Sequence, residues 1–166
     1  MKIVFANSAW VSAPERLILR GGTWKSVRLR VRYGLILHPS AGPVLVDTGY
    51  TPEAITGQGR GAMLRLYGAV LKPKLNAAEQ VLPVLARFGL SPRDVRTVIV
   101  THFHADHISG LSLFANARFI AGDAACARVK ARTPRQTLRP GVVVELFPPW
   151  EYVLHELFGR VKSVQA

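Results

Sequence analysis

The sequence predicts an α/β domain in which strands come first and helices and strands then alternate. Three observations predict it. Residues 27 to 33, VRLRVRY, alternate apolar and basic, the period of a half-exposed strand. Short apolar runs, PVLV at 43–46 and RTVIV at 96–100, are bounded by turn residues and suit buried strands. Helical patterning then alternates with further apolar runs toward the C-terminus.

A chain of 166 residues fits one domain with a sizeable core, and 49% hydrophobic against 19% charged residues reads as globular. The single cysteine, Cys126, excludes an internal disulfide framework and suits the cytoplasm. No apolar run approaches the ~18 residues of a membrane span. Lys and Arg total 22 against 10 acids, a net charge of +12. Such an excess favours anionic partners, yet the arginines are scattered and no block of five like charges occurs. A solvated basic surface is the simpler account.

Taken in order, residues 3–6 form a first strand, and their apolar run stops at Asn7 and Ser8, too short for a secretory signal. In the second strand Val27, Leu29, Val31 and Tyr33 face one way and Arg28, Arg30 and Arg32 the other. Gly34 marks a bulge or bend. HPSAGP at 38–43 is a turn, so this strand and PVLV make an antiparallel hairpin. His38 lies at that turn and is exposed. A Gly-rich loop follows. AMLRLYGAVL is then a short helix or loop cover with Met63, Leu64, Leu66, Tyr67 and Val70 as its apolar face. NAAEQVLPVLARFGL is a helix with Asn76 as N-cap, Glu79 at the capping-box position and Gly89 as its stop. Pro83 inside it predicts a kink. ISGLSLFA and DAACARVKA read as helices, ARFIAG and GVVVELF (141–147) as strands. Cys126 on the second of these helices suits a small buried hydrophobe.

The chemistry concentrates in THFHADHISG, residues 101–110, at the carboxyl end of the 96–100 strand. His102, His104, Asp106 and His107 fall within six positions of a chain with five histidines. A zinc ion takes His and Asp donors in roughly tetrahedral array at ~2.0–2.3 Å. Two-residue spacing at a strand end points His102 and His104 to one side. Asp106 and His107 come one turn later, placed for a second ion. Asp106 also sits near a helix N-terminus, where a carboxylate is favoured. Thr101 and Ser109 are within reach of the loop as hydrogen-bonding partners.

THFHADH resembles the HxHxDH signature of the metallo-β-lactamase superfamily. VLVDTG at 44–49 is similar to the Asp-Thr-Gly strand these proteins carry some fifty residues earlier. Within the superfamily the chain looks most like the N-acyl homoserine lactonase-like hydrolases; glyoxalase II-like thioesterases share the signature. The resemblance implies an αββα sandwich holding two metal ions, usually Zn2+, with iron or manganese as alternatives. It implies His102 and His104 on one ion and Asp106 and His107 on the other, with Asp106 as general acid. Asp47 would orient a metal-bound histidine or its loop by hydrogen bonds, or simply cap a turn. Metal-activated hydroxide would attack the carbonyl of a small-molecule lactone, ester or thioester.

The superfamily also supplies a third histidine, a bridging aspartate and a last histidine. Here only His155 and Asp123 follow His107. Asp123 suits a helix N-cap and His155 an amphipathic helix, WEYVLHELFGRV. Residues 1–147 are therefore expected to be the N-terminal half of the domain, and 148–166, after Pro148-Pro149, a divergent or truncated tail. The chain would be a fragment, a frame-shifted product, or one that self-associates to cover its exposed sheet. Alone it is expected to be weakly active or inactive. Two rival readings stand beside the hydrolase. One is a nucleic-acid-processing relative, favoured by charge but lacking a clustered basic, aromatic platform in the sequence. The other is a non-catalytic metal-binding or interaction module.

Overall fold

Alternating apolar side chains bring the first half of the chain together as antiparallel strands. In the computed structural model, which describes residues 1–56 and 62–122, β1 (Lys2–Pro14) pairs with β2 (Ser26–His38) from Lys2↔Leu37 to Pro14↔Ser26. Val31, Tyr33 and Leu35 are buried and Arg28, Arg30 and Arg32 exposed, as the alternation predicts. Leu29 departs from it at 38% exposure. It lies where β2 has outrun β3 (Gly42–Val46), which pairs only with Gly34 to His38.

The first strand is far longer than the expected 3–6. Its second half, NSAWVSAP, has only Trp10 and Val11 as strand formers among small and polar residues, and pairing with β2 decides the matter. The bulge is also not at Gly34, which pairs regularly with Phe5 and Val46. It falls on the opposite strand, where the register slips between Asn7 and Ala9 and leaves Ser8 as the extra residue.

After β3 come α1 (Pro52–Thr56) and α2 (Ala62–Leu71). The stripe expected to pack is open at Leu66 and Val70, 56% and 42% exposed. Leu71, at the end of the helix, joins the core. β4 (Lys74–Leu75) then pairs with β1 at Trp10 and Ala9. Asn76 makes no side-chain cap, because a 3-10 turn over Ala77–Glu79 intervenes before α3 (Val81–Ala86). Glu79 pairs with Arg87 at 3.0 Å. Pro83 causes no break: it sits in the first turn of α3, where its missing N–H has no intrahelical partner to lose. Gly89, at φ 67°, ends the helix, and Leu90 N–H donates back to the Leu85 carbonyl.

β5 (Thr97–Val100) runs parallel to β3, and β6 (Arg118–Ala121) parallel to β5. Between them lie α4 (Ala105–Ile108) and a 3-10 turn over Leu111–Phe114. The sheet order is β4-β1-β2-β3-β5-β6. Helices cover one face, where Tyr33, Leu35, Leu45, Val84, Leu85, Val98 and Phe114 form a dry core. Full burial of each large aliphatic or aromatic side chain contributes roughly 1.5–3 kcal/mol. On the other face Phe5, Ile3 and Ile120 are 76%, 49% and 40% exposed. The helix expected at DAACARVKA with Asp123 and Cys126, the strand at 141–147 and the tail at 148–166 with His155 lie outside the described residues.

Candidate metal centre

Parallel pairing of β3 with β5 sets the carboxyl ends of two strands side by side. Asp47 leaves β3 there, and Thr101 leaves β5. Asp47 adopts φ 61°, a left-handed conformation that Asp tolerates better than most residues, and it is buried at 4% exposure. Its backbone N–H donates to the Ile99 carbonyl at 2.8 Å.

The carboxylate of Asp47 accepts three hydrogen bonds from the histidine loop. Thr101 N–H donates to Oδ1 at 2.8 Å, and the Thr101 hydroxyl donates to Oδ2 at 2.7 Å. Nδ1 of His107 lies 2.8 Å from the same Oδ2. An ionised carboxylate only accepts, so Nδ1 of His107 carries a proton, and Nε2 is the nitrogen left for a metal when the ring is neutral. The Thr101 hydroxyl has given its one proton to Asp47. It therefore accepts from Nδ1–H of His102, 2.9 Å away, and Nε2 of His102 is likewise left as a donor atom for a metal.

The four motif side chains lie near one another at the carboxyl end of β5. Ring centroids of His102 and His104 are 4.6 Å apart, and those of His102 and His107 4.0 Å. Nε2 of His107 is 3.6 Å from Oδ2 of Asp106. Asp106 and His107 lie in α4, preceded by His104 in extended backbone. One ligand atom each from Asp47, His102 and His107 lies within 4.8 Å of the others, a group able to hold a cation. This trio differs from the expected set by including Asp47 and omitting His104 and Asp106. Three bonds to the Asp47 carboxylate, from Thr101 and His107, tie it to the orientation of the two imidazoles.

The histidines divide in protonation: His102 and His104 are held toward the neutral form and His107 toward the charged one, so a metal would have to displace a proton from His107. Burial, then the neighbouring His107 and His104, push the His102 pKa down to about 4, so its ring is the neutral, metal-binding form at neutral pH. Burial lowers His104 too, against the pull of Asp106. Burial opposes protonation of His107 as well, but the bond to Asp47 and the charge of Asp106 outweigh it and raise its pKa. For Asp47 burial acts to raise the pKa, and the bonds from His107 and Thr101 overcome it.

A second set of bonds, less legible in the sequence, locks the two motifs together. Thr48 donates through its N–H and hydroxyl to the His107 carbonyl at 2.8 and 2.9 Å. Ser109 donates to the Gly49 carbonyl and accepts from Thr51 N–H. Ser8, the bulged residue, donates to the Val31 carbonyl and accepts from Tyr50 N–H at 2.9 Å. The structure shows Ser8 as a phase slip: Ala6 and Ser8, then Ala9, Val11 and Ala13, are buried in two out-of-step alternations. Gly49, at φ 72°, fits against Ser8; a Cβ there would stand 2.5 Å from Ser8 Oγ. His38 is elsewhere, its Nδ1 accepting from Ala41 N–H in the β2–β3 turn.

Residues 29–124, more than half of the chain, match the profile of the metallo-beta-lactamase superfamily. The chain belongs to that superfamily. An N-acyl homoserine lactonase of a Bacillus species is 34% identical over 85 residues, 51% of this chain and 34% of that protein. A probable metallo-hydrolase of Mycobacterium tuberculosis is 32% identical over 106 residues, 63% of this chain and 33% of that one. Among solved structures, an N-acyl homoserine lactone hydrolase with the product N-hexanoyl-L-homoserine at its catalytic metal centre superposes with a TM-score of 0.66 at 24% identity. It covers 94% of this chain and 57% of that chain. A probable metal-dependent hydrolase from Staphylococcus aureus gives a TM-score of 0.64 at 16% identity, covering 80% and 50%. The mixed sheet is thus the metallo-beta-lactamase fold, and the match spans about a third of the length of the curated relatives.

Proposed function

We propose that this chain is a metal-dependent hydrolase that opens a lactone, with N-acyl homoserine lactones as the substrate class and zinc as the metal. The observation that carries the reading is the pair of imidazoles, His102 and His107, whose Nδ1 atoms are engaged with one buried carboxylate, His107 directly and His102 through the Thr101 hydroxyl, so that Nε2 of each is the nitrogen left for an ion. Similarity to N-acyl homoserine lactonases supports the substrate class.

In this reading His102 and His104 hold one ion, and Asp106 and His107 a second. A bound divalent ion supplies a water of lowered pKa and polarises the substrate carbonyl. Asp47 and Thr101 keep the rings from turning. Asp106, in the first turn of α4, would take up the proton released by the attacking water and pass it to the alcohol oxygen that leaves as the ring opens. Catalytic zinc is ordinarily held by three protein ligands and a water. Two histidines on the first ion leave one place to be filled from outside the described residues.

The test measures zinc per chain after gel filtration, then ring opening of an N-acyl homoserine lactone by acid release. Retained zinc with acid release supports the reading. Retained zinc with no turnover, in this chain and in one extended to the length of its relatives, would overturn it. That outcome would favour a non-catalytic metal-binding module.

A further inference from the structure

Beyond β3 the β1–β2 hairpin continues as a two-stranded arm, Val11–Pro14 against Ser26–Leu29. Its connection, 15–25, reads ERLILRGGTWK. Three of its large apolar side chains face solvent: Ile18 at 43%, Leu19 at 58% and Trp24 at 70%. The backbone around them is closed on itself. Glu15 N–H donates to the Lys25 carbonyl, Arg16 N–H to Thr23, and Gly22 N–H to Leu19. The one acid, Glu15, is occupied by Thr23, which donates to its carboxylate through N–H and hydroxyl at 2.9 Å. The apolar groups therefore stand on an ordered tip.

Cations ring this tip. Arg16, Arg20 and Lys25 are exposed in the connection itself, and Arg16 lies over the Trp24 ring at 5.7 Å. Arg28 and Arg30 continue along the outer face of β2, stacked on Trp10 at 4.2 and 4.9 Å. Residues 10–32 thus carry six cations and one acid.

We infer that the hairpin tip is a docking element for an anionic lipid surface, with Ile18, Leu19 and Trp24 entering the headgroup boundary and the flanking cations meeting the lipid phosphates. Aliphatic groups beside a tryptophan at an exposed tip fit the apolar side of such an interface, and basic residues near it add attraction to anionic lipid. A second copy of this chain is disfavoured, because two such cationic tips would repel. A single-stranded nucleic acid would use the arginines but leaves Ile18 and Leu19 without a role.

The test is co-sedimentation of the full chain with phosphatidylglycerol vesicles and with phosphatidylcholine vesicles. Binding is expected to the first and not the second. The charge-preserving variant I18S/L19S/W24S should lose binding by about tenfold or more, and R16Q/R20Q/K25Q should lose it comparably. Brominated acyl chains should quench tryptophan emission of the parent chain, and W24F should remove that quenching, a readout that does not depend on the triple variants folding. The inference is overturned by any of three results: no binding to anionic vesicles at low salt, equal binding by I18S/L19S/W24S, or unchanged quenching in W24F. Binding to a single-stranded oligonucleotide but not to vesicles would assign the arm to nucleic acid instead.

Discussion

Oδ2 of Asp47 lies 2.8 Å from Nδ1 of His107, sixty positions later in the chain. The same oxygen receives the Thr101 hydroxyl, which in turn touches His102. One buried carboxylate thereby sets the orientation of two imidazoles. Replacing it with Asp47→Asn keeps the shape and removes the charge. Zinc affinity is expected to fall by ~10–100-fold, the usual cost of losing a partner that orients a metal ligand. Titration calorimetry on the metal-free chain checks this, and an unchanged affinity would remove Asp47 from the site.

Thr101 separates the two branches of that network. Thr101→Val deletes the hydroxyl that links Asp47 to His102 and leaves the direct Asp47–His107 bond in place. Nitrogen chemical shifts should then show His102 losing its preference for the Nδ1-protonated tautomer while His107 retains it. Thr101→Ser should restore the parent pattern. Equal tautomers in all three proteins would mean the hydroxyl only fills space.

The cluster titrates in two opposite directions. His102 has a folded pKa of about 4 against 6.5 unfolded, so the unfolded chain binds more protons between those values. Its contribution to stability is present above pH 6.5 and is lost as pH falls toward 4. His107 is raised, so its contribution is present below 6.5 and lost as pH rises through its folded value. Proton NMR of the metal-free chain should show His102 still neutral at pH 5.5 and His107 still charged just above pH 6.5. Titration of both near 6.5 would contradict the geometry.

Gly49 is where the Asp-Thr-Gly strand meets the bulge of β1. Gly49→Ala places a Cβ at 2.5 Å from Ser8 Oγ and 2.9 Å from Tyr33 Cδ1, on a residue already at φ 72°. Ser8 cannot retreat without giving up Tyr50 N–H. The substitution is expected to cost at least ~2 kcal/mol, combining overpacking with an unfavourable backbone conformation. Urea denaturation measures it directly. A midpoint within error of the parent would show the turn to be free to move.

The sequence by itself determined the α/β class, the β2–β3 hairpin, the buried β5 strand and the histidine cluster at its end. Each rests on local information: alternation every second residue, a turn between apolar runs, and metal-binding side chains packed into six positions. Only the tertiary structure decided the rest. β1 extends through NSAWVSAP because β2 offers it partners, a fact no propensity carries. Asn76, suited to capping by type, makes no cap because a 3-10 turn precedes α3. Asp47 becomes the pivot of the candidate centre because parallel pairing of β3 and β5 brings two strand ends together across fifty residues of chain. Local patterns follow from neighbouring residues, whereas the bond from Asp47 to His107 exists only once the sheet has closed the distance between them.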